Sequence, residues 1–231
     1  NVFVIHFPDE ERPAARPLKQ SPCYERMKKL GAVFGQLYGW ERPNWFIQNK
    51  KDFSEKWSFR RPNYFQYVGE ECINVSNHVG ILDMTAFSKF LITGPGAEDW
   101  LNYLLSNKVP KKIGRISLSY LLTDDGGVRS EFTVFKKAKY EYYLVSAGAM
   151  ERHDLDYLSK SLPSGKSVNL TNITTSHGVL VIAGPNSRKV LQKITDEDLS
   201  NNNFPWLTGK KISLSAASVD ALRVNFVGEL G

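Results

Sequence analysis

The sequence LLTDDGGVRSEFTVF, residues 121–135, is the clearest structural signal in this chain. Asp125, Gly126 and Gly127 form a turn signal, because glycine adopts the positive φ that tight hairpin turns need. Apolar and β-branched residues stand on both sides of this turn. They predict a hairpin between strands at 116–123 and 128–135, and residues 140–146 add a third strand.

Glu131 lies on the second predicted strand of this hairpin. Successive side chains of a strand point to opposite faces. One face is predicted to carry Val128, Ser130, Phe132 and Val134. The opposite face is predicted to carry Arg129, Glu131, Thr133 and Phe135. Two interpretations of the carboxylate stay open: an ion pair with the neighbouring arginine, or an acid–base group at the floor of a cleft.

Beyond the hairpin, short strands are mixed with helices, which indicates an α+β fold. Residues 90–104 (FLITGPGAEDWLNYL) and 179–194 (VLVIAGPNSRKVLQKI) both run from a strand through Gly-Pro into an amphipathic helix. This echo indicates two related α+β halves or a chance recurrence of a common helix start. The further predicted elements are strands at 86–93, 178–183, 212–214 and 221–227 and a helix at 151–161.

Residues 1–65 differ from the rest, since they are rich in proline, arginine and aromatic residues. Ser21 with Pro22 forms a helix start and Gly31 a helix stop, which predicts a helix at 23–30. The remainder of the segment shows little periodicity, and its tryptophans need apolar partners. We therefore predict a connector that packs between domains.

The composition is that of an ordinary globular protein, with 42% hydrophobic and 23% charged residues among 231. No apolar run is long enough to span a membrane, and no zinc finger or RNA-binding signature supports nucleic-acid binding. The net charge of +6 suits anionic partners or solvated surface charge. The basic clusters are Lys108, Lys111, Lys112 and Arg115, then Lys136, Lys137 and Lys139, and finally Lys210 and Lys211.

Few residues outside the hairpin indicate chemistry. Cys23 and Cys72 are far apart and are predicted to be free thiols in a reducing compartment. The four histidines are dispersed, so no metal site is predicted. The sequence contains no G-x-G-x-x-G after a strand, no Walker motif and no G-x-S-x-G elbow. Asp83 is interpreted as a backbone cap rather than a catalytic group.

Six stretches together resemble the carboxy-terminal half of dimethylglycine dehydrogenases and of the related sarcosine dehydrogenases. They are ERPAARPLKQSPCYERMKKLGAVFGQLYGWERPNWF (11–46), ILDMTAFSKFLITGPGAEDWL (81–101), DDGGVRSEFTV (124–134), HDLDYL (153–158), VLVIAGPNSRKVLQKITDEDLS (179–200) and GELG (228–231). The resemblance covers essentially the whole chain. It implies a folate-binding domain similar to the glycine-cleavage T-protein at 66–231, preceded by a connector at 1–65.

In the family that the chain resembles, a flavin domain carrying FAD oxidises an N-methyl amine. The folate domain captures the released one-carbon unit on tetrahydrofolate. The resemblance therefore implies a methylated amine and folate as small-molecule partners, and packing against a flavin domain that lies outside these residues. The chain stops on an apolar strand entering a glycine turn, so we expect it to be a fragment, with the folate domain truncated at its carboxy terminus.

Site residues follow from the same resemblance. Glu131 matches the catalytic carboxylate next to the folate nitrogen that accepts the carbon, where it can take a proton and offset positive charge. The implied cofactor contacts are Leu118, Phe135, Phe226 and Glu229. Phe135 and Phe226 replace tyrosines of many relatives, which keeps stacking and loses a hydroxyl, and Leu118 also replaces a tyrosine.

Other functions stay open at the level of sequence. A sarcosine dehydrogenase has the same layout, and the regulatory subunit of pyruvate dehydrogenase phosphatase, a non-catalytic protein, resembles the same family. A stand-alone aminomethyltransferase is a third possibility, against which the connector at 1–65 argues. The enzyme interpretation is favoured by the stretches around Glu131 and Glu229. The expected compartment is the bacterial cytoplasm or the mitochondrial matrix.

Overall fold

A computed structural model describes residues 5–8, 10–47, 53–165 and 167–225. Phe226, Glu229 and the last part of the strand predicted at 221–227 lie outside the described residues. The elements in chain order are α1 (Tyr24–Lys29), β1 (Ala32–Leu37), β2 (Trp40–Phe46), α2 (Phe65–Asn77), β3 (Gly80–Asp83), β4 (Ser88–Thr93), α3 (Ala97–Leu104), β5 (Ile116–Leu122), β6 (Val128–Ala138), β7 (Glu141–Ser146), α4 (Glu151–Lys160), β8 (Asn169–Asn172), β9 (Leu180–Ala183), α5 (Ser187–Leu191), β10 (Thr208–Leu214) and β11 (Ala217–Arg223).

The predicted hairpin is confirmed as β5 and β6, and it forms one side of a five-stranded antiparallel sheet of order β5-β6-β7-β4-β8. Gly126 closes its turn at φ 86°, which a residue with a side chain adopts only under strain. The register shifts just after the turn: Leu121 pairs with Ser130 and Leu122 with Val128. Arg129 is therefore the extra residue of a β-bulge.

One face of this sheet is covered by helices. Trp100 and Leu101 of α3 and Leu158 of α4 pack with Phe132 and Leu144 in a continuous buried cluster. The Trp100 indole N–H also donates to the Ser161 carbonyl at 2.7 Å, so the large ring is buried without losing its hydrogen bond. This cluster is the hydrophobic core between the sheet and the helices α3 and α4.

A partly buried polar contact fastens the start of α3 to the sheet. The Lys136 ammonium lies 2.6 Å from a Glu98 carboxylate oxygen, and the Tyr142 hydroxyl donates to the same oxygen at 2.8 Å. These two donors lower the pKa of the Glu98 carboxyl. The carboxylate therefore stays charged at the helix N-terminus, where the helix dipole also favours it.

The sequence echo corresponds to two similar units, β4 with α3 and β9 with α5. Gly94 and Gly184 occupy equivalent places between strand and helix, at φ 117° and 111°. A methyl group at Gly94 would lie 2.3 Å from the Ser167 carbonyl oxygen, so the chain crossing requires glycine. Strand β9 of the second unit pairs with β3, the strand that precedes β4 of the first unit.

The amino-terminal segment is more ordered than its sequence predicts. The helix predicted at 23–30 is confirmed as α1, but β1 and β2 form an unpredicted hairpin, and α2 begins at Phe65. Trp45 is buried, with its ring stacked 5.6 Å from that of Tyr64 and 5.5 Å from that of Tyr67. The tryptophan thus finds its partners within the segment and at the start of α2.

Bounds of the other predicted strands are close to those observed, with three differences. Strand β10 begins at Thr208 rather than at residue 212, and β11 covers Ala217–Arg223 rather than 221–227. The third difference is that the short strands β3 and β8 were not predicted. Within the parts of the chain that the structure describes, every helix is too short or too polar to cross a bilayer.

Replacing Phe132 by alanine tests the importance of the helix-covered face. Phe132 is 0% exposed, so the truncation leaves a cavity, and we expect the free energy of unfolding to fall by about 3–5 kcal/mol. Urea unfolding followed by circular dichroism measures the change. Val128→Ala on the same strand is the matched control, because Val128 is 67% exposed and its loss should cost less than about 0.5 kcal/mol. Equal losses for both variants would contradict the packing described.

Candidate functional site

Glu131 lies on the exposed face of β6, opposite the helix-covered core. Its cross-strand neighbour on β5 is Tyr120, which is also solvent-accessible. A hydrogen bond to Glu131 raises the pKa of the Tyr120 hydroxyl, because ionisation would place two negative charges side by side and remove the donor. In this pair, the Tyr120 hydroxyl donates a hydrogen bond to the exposed Glu131 carboxylate.

The next two positions on this face differ in exposure. Leu118 pairs with Thr133 and is 44% exposed, so it offers apolar surface beside the carboxylate. Phe135 pairs with Ile116 and is only 3% exposed, because strand β10 covers it. A methyl group at Gly209 would lie 2.6 Å from a ring carbon of Phe135, so the strand passes directly against the ring.

Arg129 does not share the face of Glu131. The bulge turns its side chain to the helix-covered side, where the guanidinium lies 4.3 Å from the centroid of the Tyr157 ring. Its Nε donates to Nε2 of His153 at 3.3 Å. Among the described residues no lysine or arginine lies within ion-pair distance of Glu131, so the alternative of an ion pair with Arg129 is not seen.

Behind Glu131, a buried carboxylate joins strands β6 and β7 to helix α4. Asp154 is fully buried, and one of its oxygens accepts hydroxyl hydrogen bonds from Ser130 at 3.0 Å and Ser146 at 2.7 Å. Its other oxygen lies 3.2 Å from Nδ1 of His153. Because Arg129 can only donate, Nε2 of His153 accepts and Nδ1 carries the proton toward Asp154. Sequence reasoning missed this network, since serine and aspartate so far apart give no local signal.

Lys89 is a second buried ionisable group that the sequence did not reveal. It lies in the same cross-strand row as Leu118, Thr133 and Val145. Burial lowers the pKa of Lys89 to about 8, and its ammonium donates to the carbonyls of Thr85 at 2.7 Å and Phe87 at 2.9 Å. These two bonds bind the lysine to its own loop.

Asp83 has the capping role predicted for it. Its Oδ1 accepts the Thr85 backbone N–H at 3.0 Å, and its Oδ2 accepts the Ser21 hydroxyl. The second bond also ties the amino-terminal segment to β3. Cys23 and Cys72 are free thiols as predicted. No cluster of three or more metal-ligating side chains occurs among the residues that the structure describes.

The model of the GCVT N-terminal domain family matches residues 23–231. The chain is 38% identical over 229 residues to mitochondrial dimethylglycine dehydrogenase of Mus musculus, covering 99% of the chain and 26% of that protein. It is 28% identical to mitochondrial sarcosine dehydrogenase of Homo sapiens, covering 99% of the chain and 29% of that protein.

The chain is also similar to a protein that is named as a regulatory subunit. The mitochondrial pyruvate dehydrogenase phosphatase regulatory subunit of Mus musculus is 27% identical, covering 100% of the chain and 27% of that protein. The chain thus spans about a quarter of the length of the curated relatives it matches. The crystal structure of glycine cleavage system aminomethyltransferase T from Bartonella henselae superposes with a TM-score of 0.73 at 23% identity, over 92% of this chain and 52% of that one. The predicted T-protein-like α+β fold is confirmed.

Replacing Glu131 by glutamine tests the pairing with Tyr120. Without the neighbouring negative charge, we expect the pKa of Tyr120 to fall back toward the ordinary value of a tyrosine. A pH titration of ¹³C-labelled tyrosine by NMR measures it. Asp124→Asn in the nearby turn is the control, and it should leave the Tyr120 titration unchanged. An unmoved Tyr120 in Glu131→Gln would refute the contact.

Replacing Asp154 by alanine tests the buried network. The two serine hydroxyls and His153 lose their shared acceptor, so we expect a loss of about 2 kcal/mol or more in the free energy of unfolding. Asp156→Ala on the same helix is the control, since Asp156 only forms an exposed ion pair with Lys160 and should cost less than about 0.5 kcal/mol. Chemical denaturation of both variants checks the difference, and a negligible effect of Asp154→Ala would rule the network out as a structural anchor.

Proposed function

Because the chain belongs to the GCVT N-terminal domain family, we propose that it is the folate-binding, one-carbon-transfer module of a flavin-dependent enzyme of the dimethylglycine dehydrogenase type. The whole enzyme oxidises an N-methyl amine with FAD in a further domain, on which this module packs. The module then takes up the released one-carbon unit with tetrahydrofolate. The compartment is the bacterial cytoplasm or the mitochondrial matrix, and the boundary between connector and module lies near residue 65.

The observation that carries this proposal is the exposed carboxylate of Glu131 on the face of the sheet opposite the helices. A buried ion pair there would argue for a structural role, but the contact described for Glu131 is the Tyr120 hydroxyl. Leu118 provides exposed apolar surface on the same face. An accessible carboxylate beside apolar surface is suited to a flat ligand with a polar edge, so the residues present fit a reduced pterin.

Tetrahydrofolate supplies a ring amine that takes up a carbon unit at the oxidation level of formaldehyde. Glu131 would accept the proton that this amine loses when its nitrogen bonds to the carbon unit, and its charge would offset the positive charge that develops on that nitrogen. Tyr120 donates to Glu131 and holds the carboxylate in place. The stiff β5–β6 hairpin keeps both groups at a fixed spacing.

The remaining predicted contacts belong to the same proposal. Leu118 would contact the ligand directly, whereas Phe135 is buried beneath β10 and would support the site from within. Phe226 and Glu229 lie outside the described residues, so their proposed contacts with the cofactor rest on the sequence. The exposed side chains of Lys111, Lys112 and Arg115 precede β5, where they can hold the anionic tail of a polyglutamylated folate.

A sarcosine dehydrogenase differs only in the amine oxidised by the other domain, so it leaves the proposal for this module unchanged. A regulatory subunit needs no acid–base group, and the exposed carboxylate of Glu131 favours the enzyme over it. Flavin absorbance of the full-length protein separates the two, because only the dehydrogenase requires the cofactor.

Glu131→Gln in the full-length protein tests the proposal. Glutamine keeps the shape of the side chain and cannot take a proton, so one-carbon transfer to tetrahydrofolate should fall about 100-fold or more. Tetrahydrofolate affinity by calorimetry should change far less. Glu25→Gln on the exposed helix α1 is the control and should retain full transfer. Unchanged transfer in Glu131→Gln would remove this residue from the mechanism.

A further inference from the structure

Lys89 is a buried lysine on the face of the sheet that carries Glu131, and the chemistry proposed above does not use it. The β4 residues Phe90 and Ile92 belong to the core beneath the helices. Because side chains alternate along a strand, Lys89 points to the opposite face. Lys89 is nevertheless 0% exposed, so its ammonium is enclosed by protein on the same side of the sheet as the candidate site.

The register of the sheet relates Lys89 to Glu131. Lys89 pairs with Val145 of β7, and Val145 pairs with Thr133 of β6. Glu131 comes two residues before Thr133, which is one pleat repeat along the same face. The same register, continued past the start of β4, puts Phe87 in the cross-strand row of Glu131. The chain just before β4 therefore lies at the Glu131 end of the sheet.

Phe87 belongs to the β3–β4 loop, residues 84–87. The Lys89 ammonium donates to the Thr85 carbonyl at 2.7 Å and to the Phe87 carbonyl at 2.9 Å. Because these bonds join two positions of the loop to one side chain, they fix the path of its backbone. A loop held in this way forms a fixed border beside the face that carries Glu131.

The β3–β4 loop also contacts both halves of the domain. A methyl group at Gly148 would lie 2.2 Å from the Ala86 carbonyl oxygen, so the loop passes directly against the chain that follows β7. The Met84 backbone N–H donates to the Val179 carbonyl at 2.9 Å, just before β9. Lys89 thus fixes a loop that is packed between the five-stranded sheet and the second unit.

The partners of the Lys89 ammonium are neutral carbonyls, although burying a charge is unfavourable. In the part of the chain that the structure describes, no carboxylate lies within ion-pair distance of it. Asp83 and Glu151 face it from farther away, and they have partners in the amino-terminal segment: Asp83 accepts the Ser21 hydroxyl, and Glu151 lies 3.9 Å from the Lys19 ammonium. The two negative charges favour the ammonium, but loss of hydration has the larger effect and lowers the pKa of Lys89 to about 8.

We propose that Lys89 is a positioning residue for the one-carbon site, a role that rests on the function proposed above. Its ammonium fixes the β3–β4 loop as the border of the Glu131 face across from the β5–β6 hairpin. A flat ligand over Leu118 and Thr133 is then held with its polar edge at Glu131. Without the ammonium the loop is free to move and the ligand to shift, and a displacement of about 1 Å can slow a positioned reaction about 100-fold.

Lys89→Met in the full-length protein tests this role, because methionine keeps most of the length of the side chain and removes the charge and the donors. One-carbon transfer at saturating tetrahydrofolate should fall about tenfold at about pH 7. Lys160→Met is the matched control and should keep full transfer, since the Lys160 side chain is 74% exposed on α4. Full transfer in Lys89→Met would overturn the proposal.

The pH dependence separates positioning by the charge from a general loss of structure. Lys89 loses its charge as the pH rises through about 8, and its bonds to the two carbonyls then weaken because they are no longer charge-assisted. The ratio of wild-type to Lys89→Met rates should therefore shrink from about tenfold at about pH 7 to about threefold or less at about pH 9.5. Effects of pH on both enzymes cancel in this ratio, so a ratio that stays constant would contradict the role of the charge.

Hydrogen exchange of the full-length protein, followed by mass spectrometry, reports on the loop without any reaction. Peptides that cover residues 84–87 should exchange about tenfold faster in Lys89→Met, and those of the β5–β6 hairpin should be unchanged. Unchanged exchange of the loop would overturn the proposal. Lys89→Gln, which keeps an N–H donor without the charge, takes the place of Lys89→Met if circular dichroism shows that the latter is unfolded, and the same shrinking ratio is expected of it.

The roles of Lys89 and Glu131 fail separately in these experiments. Transfer that is lost in Glu131→Gln and kept in Lys89→Met overturns the role of Lys89 alone. Transfer that is kept in Glu131→Gln and slowed in Lys89→Met overturns the role of Glu131 alone.

Discussion

The burial of one face of β6 is the constraint on which the rest of this structure depends. Phe132 and Val134 point into the core beneath the helices, and both are fully buried. Because side chains alternate along a strand, burying these two residues places Glu131 and Thr133 on the opposite face of the sheet, away from the helices. A slip of one residue would bury the carboxylate and expose the core, so the register is strongly determined.

The β-bulge at Arg129 lets the strand keep this register and still contact helix α4. It sends the guanidinium to the helix side, where it meets His153 and the Tyr157 ring. Those contacts lie next to Asp154, a buried charge that is tolerable only because its oxygens are occupied by hydrogen-bond donors. The β-bulge therefore places Arg129 against helix α4 while Glu131 stays on the opposite face of the sheet.

Elements with a local sequence signal were predicted correctly, whereas features that depend on residues distant in sequence were not. The β5–β6 hairpin and the two strand–glycine–helix units carry their own turn residues and periodicity, so they are legible in isolation. The β1–β2 hairpin was missed because Pro43 and a register shift at Val33 break its alternation. Helix α2 was also missed, although apolar residues recur at helical spacing within it: Phe65, Val68, Cys72 and Val75.

The candidate site shows the same division. Glu131 could be selected from the motif around it, whereas its separation from Arg129 depends on a bulge that no pattern in the strand predicts.

The predicted connector is attached to the sheet domain by specific polar contacts. The Ser21 hydroxyl donates to Asp83 of β3, and Glu71 of α2 accepts the Phe46 backbone N–H at 2.9 Å. The Thr85 backbone N–H fixes the position of Asp83. The hydrogen bond from Ser21 to Asp83 therefore joins two ordered parts of the chain.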